Sequence, residues 1–174
     1  MDKELIFRQA QSCEADRIMQ IIRQAQARMN AAGSRQWQDG YPAPGHISAD
    51  IGRNCGYILC KPATEGPLAV IAYGAVVFDG EPAYDSIDGQ WLTDEAYVLV
   101  HRMAVAAEEQ GRGVATEFLQ RVEALARERG VRSFRIDTNF DNRTMLGLLE
   151  RTGFTYCGKV AYRSGERLAY EKRL

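Results

Sequence analysis

The sequence is poor in the residues that build metal centres. Its two histidines, His46 and His101, and four cysteines, Cys13, Cys55, Cys60 and Cys157, show no C-x-x-C spacing, and a structural zinc site needs such clustering, so no metal is expected. Charge of either sign is not in surplus: 22 Lys and Arg stand against 23 Asp and Glu, a net charge of −1. A nucleic-acid footprint calls for a basic excess, and none is present. No apolar run approaches the roughly 18 residues a membrane helix needs, and no charged-then-apolar leader precedes Ile6. These shortages predict a chain without nucleic-acid or membrane partners, with reduced thiols, in the cytosol. What remains is an ordinary globular composition, 45% hydrophobic and 26% charged over 174 residues, read as one domain spanning 1–174.

Hydrophobic periodicity divides the chain into alternating elements. Leu5 to Gln9 reads as a strand, and Ser12 as the cap of a helix presenting Ile18, Met19, Ile22, Ala25 and Met29, ending near Ala32-Gly33. The Pro- and Gly-rich stretch Gln36 to Gly45 reads as a functional loop. Ser48 is expected to cap a short helix to Asn54, with strands at Tyr57–Cys60 and Leu68–Phe78 and an open loop over 79–93. Ala96 to Val105 is an apolar, β-branched strand; Phe134–Thr138 another. Asn142–Arg151 reads as a helix, and Phe154–Tyr162 with Arg167–Lys172 as a closing hairpin. The order β, α, α, three strands, α, β, α, β, β implies a mixed α/β sheet of about seven strands.

Between the strand ending at Val105 and a helix carrying Val114, Phe118, Val122, Leu125 and Ala126 lies Gln110-Gly111-Arg112-Gly113-Val114-Ala115. A helix start offers unpaired N–H groups and partial positive charge, and glycine lets an anion approach them. Such a turn can equally be only a tight turn. Two nucleotide loops fail on spelling: a P-loop needs Lys then Ser or Thr where Val114-Ala115 stand, and a dinucleotide fingerprint needs a third glycine where Thr116 stands.

Gln110, Gly113 and Ala115 fit the pattern Q/R-x-x-G-x-G/A, and Asn142, Leu148-Leu149-Glu150 and Gly153-Phe154 fit the spacing of N-(x)6-Y-(x)3-G-F. Together with Ile6 to Ala10 and Asp16, these motifs resemble the GNAT acetyltransferase superfamily over most of the chain. The resemblance implies a mixed, mostly antiparallel sheet with flanking helices, in which the parallel strands before the glycine turn and before the fourth helix splay apart. It further implies acetyl-CoA as cosubstrate, a small-molecule or peptide amine as acceptor, and direct attack on the thioester. Dimers are common among such proteins, so a homodimer is an open expectation.

On that resemblance Gly111, Arg112, Gly113, Val114, Ala115 and Thr116, with Gln110, would cradle the pyrophosphate. Met103, Ala104 and Val105 would offer strand edge to the pantetheine, with the N–H near Val105 polarising the thioester oxygen. Arg112 is also an ordinary solvated arginine, and Asn142 an ordinary helix cap; the family pattern assigns Asn142 a bond to the cofactor arm. The frequent tyrosine of the pattern, often the acid for the departing thiolate, is Leu149 here. Tyr97, Tyr156 and Tyr162 are substitutes that are also plain strand packing residues, and a non-catalytic acyl-CoA sensor is the rival function. For the base, Asp137 comes first, five residues before Asn142, where some members carry a catalytic glutamate; His101 comes second, sharing strand parity with Tyr97, Leu99 and Met103. Trp37, Tyr41, Tyr84 and Trp91 occupy loops expected to flank the acceptor mouth, as selectors or as core caps.

Overall fold

The computed structural model describes residues 4–174. Strand β1 (Ile6–Gln9) and helix α1 (Ala15–Ala31) are joined by a 3-10 turn whose start is closed by Gln11 and Glu14, not by Ser12. Helix α2 runs Pro44–Gly52, five residues earlier than a Ser48 cap would place it. Pro44 sits in its first turn, where the missing N–H costs nothing, and the Ala43 N–H donates to His46 Nδ1 at 3.0 Å. Strands β2 (Gly56–Lys61) and β3 (Ala69–Val77) follow as a pair.

The 79–93 segment is more ordered than an open loop: it holds a 3-10 turn over Pro82–Ser86 and a two-residue strand β4 (Asp88–Gly89). Then come β5 (Val98–Val105), α3 (Val114–Glu128), β6 (Ser133–Thr138), α4 (Arg143–Arg151), β7 (Thr155–Tyr162) and β8 (Gly165–Arg173). The sheet therefore has eight strands in the order β1-β2-β3-β5-β6-β8-β7-β4. The added strand is legible only in three dimensions. Gly89 lies so close to Gly158 that a Cβ on Gly89 would fall 2.1 Å from the Cys157 carbonyl oxygen, so two glycines facing each other permit the pairing.

All pairings are antiparallel except β5 with β6, which is parallel and limited to Val98↔Phe134 and Leu99↔Arg135. Beyond Leu99 the two strands part, which opens the expected gap. One sheet face is covered by α3 and α4, with Phe118, Leu119, Val122 and Leu149 fully buried against Val98, Val100 and Phe134. The other face is covered by α1 and α2 through Ile18, Ile21, Ile22 and Ile47, and by Tyr84 above Leu99, Val160 and Ala169.

Register is broken once in a way that matters for the site. Ala75 pairs with His101 but Tyr73 with Ala104, so Gly74 alone opposes Arg102 and Met103. Arg102 takes φ 57, a left-handed value that a bulge can impose. The extra residue reverses the alternation that follows it. Met103 and Val105 join Val98 and Val100 on the α3 face, while Leu99 packs with Tyr84 on the opposite one. The sequence parity that grouped Met103 with Tyr97, Leu99 and His101 is thus corrected by the bulge.

Candidate active site

The glycine turn is conformationally what its spelling requires. Gly111 and Gly113 hold φ 74 and 76, values costly for any residue with a Cβ. Gly113 caps α3 with no side-chain cap of its own, and none of the backbone N–H groups from Gly111 to Thr116 donates to a loop, cap or side-chain acceptor among the described residues. A Cβ at either glycine would meet nothing within 4 Å. The space above these N–H groups is open, as an anion-binding helix start requires. Arg112 lies at the edge, 65% exposed, with Nη1 3.7 Å from Glu109, whose carboxylate also binds Lys61.

From this turn a cleft of about 220 Å³ runs between β5 and the starts of α3 and α4, lined by Met103, Ala104, Val105, Gln110, Ala115 and Asn142. The structure brings these expected cofactor residues together. Ala106 N–H donates to Ile71 O at 2.8 Å, so the antiparallel alternation turns the Val105 N–H and C=O away from β3 and into the gap. The Val105 carbonyl accepts from Arg28 Nη2 at 2.8 Å and Gln110 Nε2 at 3.2 Å. Arg28 also lines the cleft, and its Nη1 is a buried atom with no hydrogen-bond partner among the described residues. Burial lowers the Arg28 pKa. An orphaned buried donor of this kind fits a ligand carbonyl or oxyanion.

Asn142 caps α4 by accepting from the Met145 N–H at 3.2 Å, and its Nδ2 donates to Gln36 Oε1 at 3.1 Å. Leu149 is closed within the core at 0% exposure; from α4 it is Arg143, Thr144, Met145 and Leu148 that line the cleft. Helix α4 therefore presents no phenol to a departing thiolate.

A second cavity of about 610 Å³ lies on the other side of residues 34–36, lined by Asp137, Tyr162, Trp37, Tyr41 and Gln36 among others. The partition is fixed at both ends. Ser34 Oγ and the Arg35 N–H donate to the two Asp141 oxygens at 2.7 and 2.9 Å; against the penalty of burial, these bonds and that of Asn139 keep the Asp141 carboxyl below its usual range. Gln36 Oε1 accepts from Thr138 Oγ1, the Asn139 N–H and Asn142 Nδ2, each at 3.1 Å. One amide oxygen thus ties the wall to the turn after β6.

Asp137 sits at the floor of the larger cavity. Its Oδ2 accepts from Tyr84 Oη at 2.7 Å and Tyr162 Oη at 2.8 Å. Burial and the adjacent Asp137 push both phenols well above their ordinary pKa, so they remain protonated donors. His101 does not line this cavity; its Nε2 lies 2.8 Å from Glu81 Oε2, and that bond, opposed by burial, holds the Glu81 carboxyl below its usual range. Of the tyrosines weighed as acids, Tyr162 alone lines the cavity. Tyr97 receives the Glu81 N–H at 3.0 Å, and Tyr156 is 51% exposed and packs edge-on to Tyr170.

The four loop aromatics divide. Trp37 and Tyr41 line the cavity, whereas Trp91 packs against Tyr84 with centroids 5.0 Å apart and planes tilted by 50°, and donates Nε1 to the Tyr84 carbonyl. Tyr41 is held by Arg102 Nη1 at 2.8 Å, and the rest of that guanidinium forks onto buried Asp50 at 2.8 and 2.5 Å. Tyr73 adds a 2.5 Å bond to the same carboxylate. Sequence reasoning missed Asp50, Arg102 and Glu81, and held Gln36 only as the first residue of the functional loop. A signal existed for Arg102: a guanidinium inside an apolar strand run demands a buried partner.

Among the described residues no group of three or more His, Cys, Asp or Glu could hold a metal ion, and no helix is long and apolar enough to cross a membrane. Residues 18–154 match the family described as Acetyltransferase (GNAT) family. An acetyltransferase of the GNAT family from Streptococcus agalactiae is similar over 100% of this chain and 98% of its own, at 35% identity and a TM-score of 0.87. Another from Listeria monocytogenes shares 21% identity over 99% and 96%, with a TM-score of 0.75. The fold also resembles an agmatine N-acetyltransferase, at 12% identity over 98% and 99% and a TM-score of 0.66. No curated protein matches the chain.

Proposed function

The chain belongs to the GNAT acetyltransferase family, and from that premise we propose that it moves an acetyl group from acetyl-CoA to a primary amine by direct attack. One observation carries this reading: a cleft ending at an uncapped helix start lies back to back with a carboxylate-floored cavity, with Gln36 between them. The Gly111 to Thr116 N–H groups hold the pyrophosphate, with Arg112 at the edge of the turn. Met103, Ala104 and Val105 accompany the pantetheine, the Val105 N–H polarises the thioester oxygen, and the free Arg28 Nη1 meets a cofactor carbonyl. The spare valences of the Asn142 amide face the same arm.

The amine enters the larger cavity and meets Asp137. Its proton becomes acidic only as the new N–C bond forms, so a carboxylate suffices as acceptor. The two phenols on Oδ2 fix Asp137 so that Oδ1 faces the nitrogen. His101, held by Glu81, takes the second place as base. The thiolate departs without a donor from α4, tolerable for a thiol whose pKa resembles the roughly 8.5 of cysteine. No described helix can span a membrane and the four cysteines are unpaired, which supports a cytosolic enzyme.

The test is thiol release from acetyl-CoA with a panel of amines, run beside calorimetry of cofactor binding. Amine-dependent thiol release is the expected result. Tight acetyl-CoA binding with no release for any amine would overturn the transferase reading in favour of a sensor.

A further inference from the structure

The larger cavity is bipolar. At its floor is Asp137, half-buried and gripped by the phenols of buried Tyr84 and half-buried Tyr162. Around it stand Arg35, Arg163 and Arg167, the first two exposed and the third half-buried. None of these guanidiniums has a carboxylate within 4.0 Å among the described residues; for Arg167, the half-buried one, this contrasts with half-buried Arg8 and Arg102, which do. Arg167 spends its donors on the Glu166 carbonyl and on Ser164 Oγ, each at 3.0 Å, and the guanidiniums of Arg35 and Arg163 make no hydrogen bond among the described residues. Asp39 is the one other acid of the lining and is exposed.

Three guanidiniums set against two carboxylates, Asp39 and Asp137, leave the lining with a positive surplus that acts on whatever enters. A polycationic acceptor is disfavoured there, and a plain alkylamine engages Asp137 alone. A molecule with an oxyanion as well as an amine is attracted by both ends: the planar forks of arginine match a carboxylate or phosphonate with two parallel bonds. Resting on the transferase reading above, we infer that the acceptor is a small amino acid-like molecule. Its amine points to Asp137 and its anionic group to Arg35, Arg163 and Arg167. The anion also fixes which way the molecule lies, since the reverse orientation places like charges together at both ends.

The experiment compares acceptors that differ only in the anion: a series of amino acids and aminoalkylphosphonates, each beside its carboxamide and its decarboxylated amine, at saturating acetyl-CoA. The anionic member should exceed its neutral partners by about tenfold to a hundredfold in kcat/KM, the range a lost charge-assisted bond commands. That preference should shrink as salt rises. Arg163→Gln and Arg167→Gln should raise KM for the anionic acceptors by about tenfold, a much larger effect than on the carboxamides, while leaving KM for acetyl-CoA unchanged. Equal or better turnover of neutral or cationic amines would overturn the inference. If no acceptor releases thiol, the transferase reading fails instead. Calorimetry of the same amino acids, with binding lost in the two arginine variants, then still decides whether the cavity recognises the anion.

Discussion

Gln36 Oε1 and Asn142 Nδ2 lie 3.1 Å apart, joining a side chain of the larger cavity to one of the cofactor cleft. The two sites are therefore not independent. Any shift of the Gln36 loop moves both the wall of the acceptor space and the amide at the start of α4. Replacing Gln36 by Ala leaves the Thr138 hydroxyl, the Asn139 N–H and the Asn142 amide without their shared acceptor. The expected loss is about 1–3 kcal/mol of stability by denaturant unfolding, with KM raised for both substrates. Gln36→Glu keeps an oxygen for all three donors and should retain most of the stability.

Gly113→Val tests the phosphate loop. At φ 76 a β-branched side chain is strained by about 1–2 kcal/mol, yet nothing in the protein lies within 4 Å of its Cβ. The melting temperature should fall modestly, while acetyl-CoA affinity in calorimetry collapses because the side chain fills the space above the N–H groups. Unchanged affinity would remove the turn from cofactor binding.

Much of this was legible in the sequence, where signals are local. The glycine turn, α3 and the cap at Asn142 follow from spacing and capping chemistry within a few residues. The β5 bulge is not local: it lies opposite Gly74, where a Cβ would meet the Phe118 ring at 2.8 Å, and its consequence is the reversed face of Met103. The bond of Arg102 to Asp50 spans 52 positions, and that of Gln36 to Asn142 spans 106. No periodicity encodes such pairs. The start of α2 was written locally, in Pro44 and His46, but Ser48 offered a more familiar cap.

Asp137→Asn should lower kcat by about 10² to 10⁴-fold while preserving the fold, since an amide oxygen still accepts from Tyr84 and Tyr162. Its pH profile should lose the acidic limb that a carboxylate base produces. Tyr162→Phe, which removes one bond to Oδ2 and no proton acceptor, should cost far less. An unaltered profile in Asp137→Asn would transfer the role to His101, whose own substitution would then abolish the limb.

Arg28→Met separates binding from stability. The methionine keeps an apolar stem in the cleft, and the Val105 carbonyl keeps Gln110. Because the variant also discards a buried, unpartnered Nη1, unfolding free energy should change by less than about 1 kcal/mol. Acetyl-CoA affinity should nevertheless drop about tenfold, read by calorimetry. A loss of stability with undiminished affinity would make Arg28 a brace for β5 and nothing more.

Glu171 governs the acid limb of stability. It is fully buried on β8 and accepts from the Leu92 and Thr93 N–H groups, Thr93 Oγ1, Ser133 Oγ and Arg135 Nε. Burial alone would raise its pKa, but the bonds from Ser133 and Arg135 outweigh it and hold the carboxyl below its usual range. A folded pKa below the unfolded one means the native state favours the ionised form. That stabilisation is complete above the unfolded value of about 4.3 and is lost as pH falls through the folded one. Glu171→Gln removes the charge opposite Arg135, itself only 7% exposed, and an unpaired buried guanidinium costs about 3–5 kcal/mol. The variant should therefore unfold at lower denaturant at pH 7 and show a flatter stability profile below pH 5 than the parent. Because β6 carries both Arg135 and Asp137, loosening this pair should also blunt turnover; a second substitution, Arg135→Met, should restore much of the lost stability by removing the stranded charge.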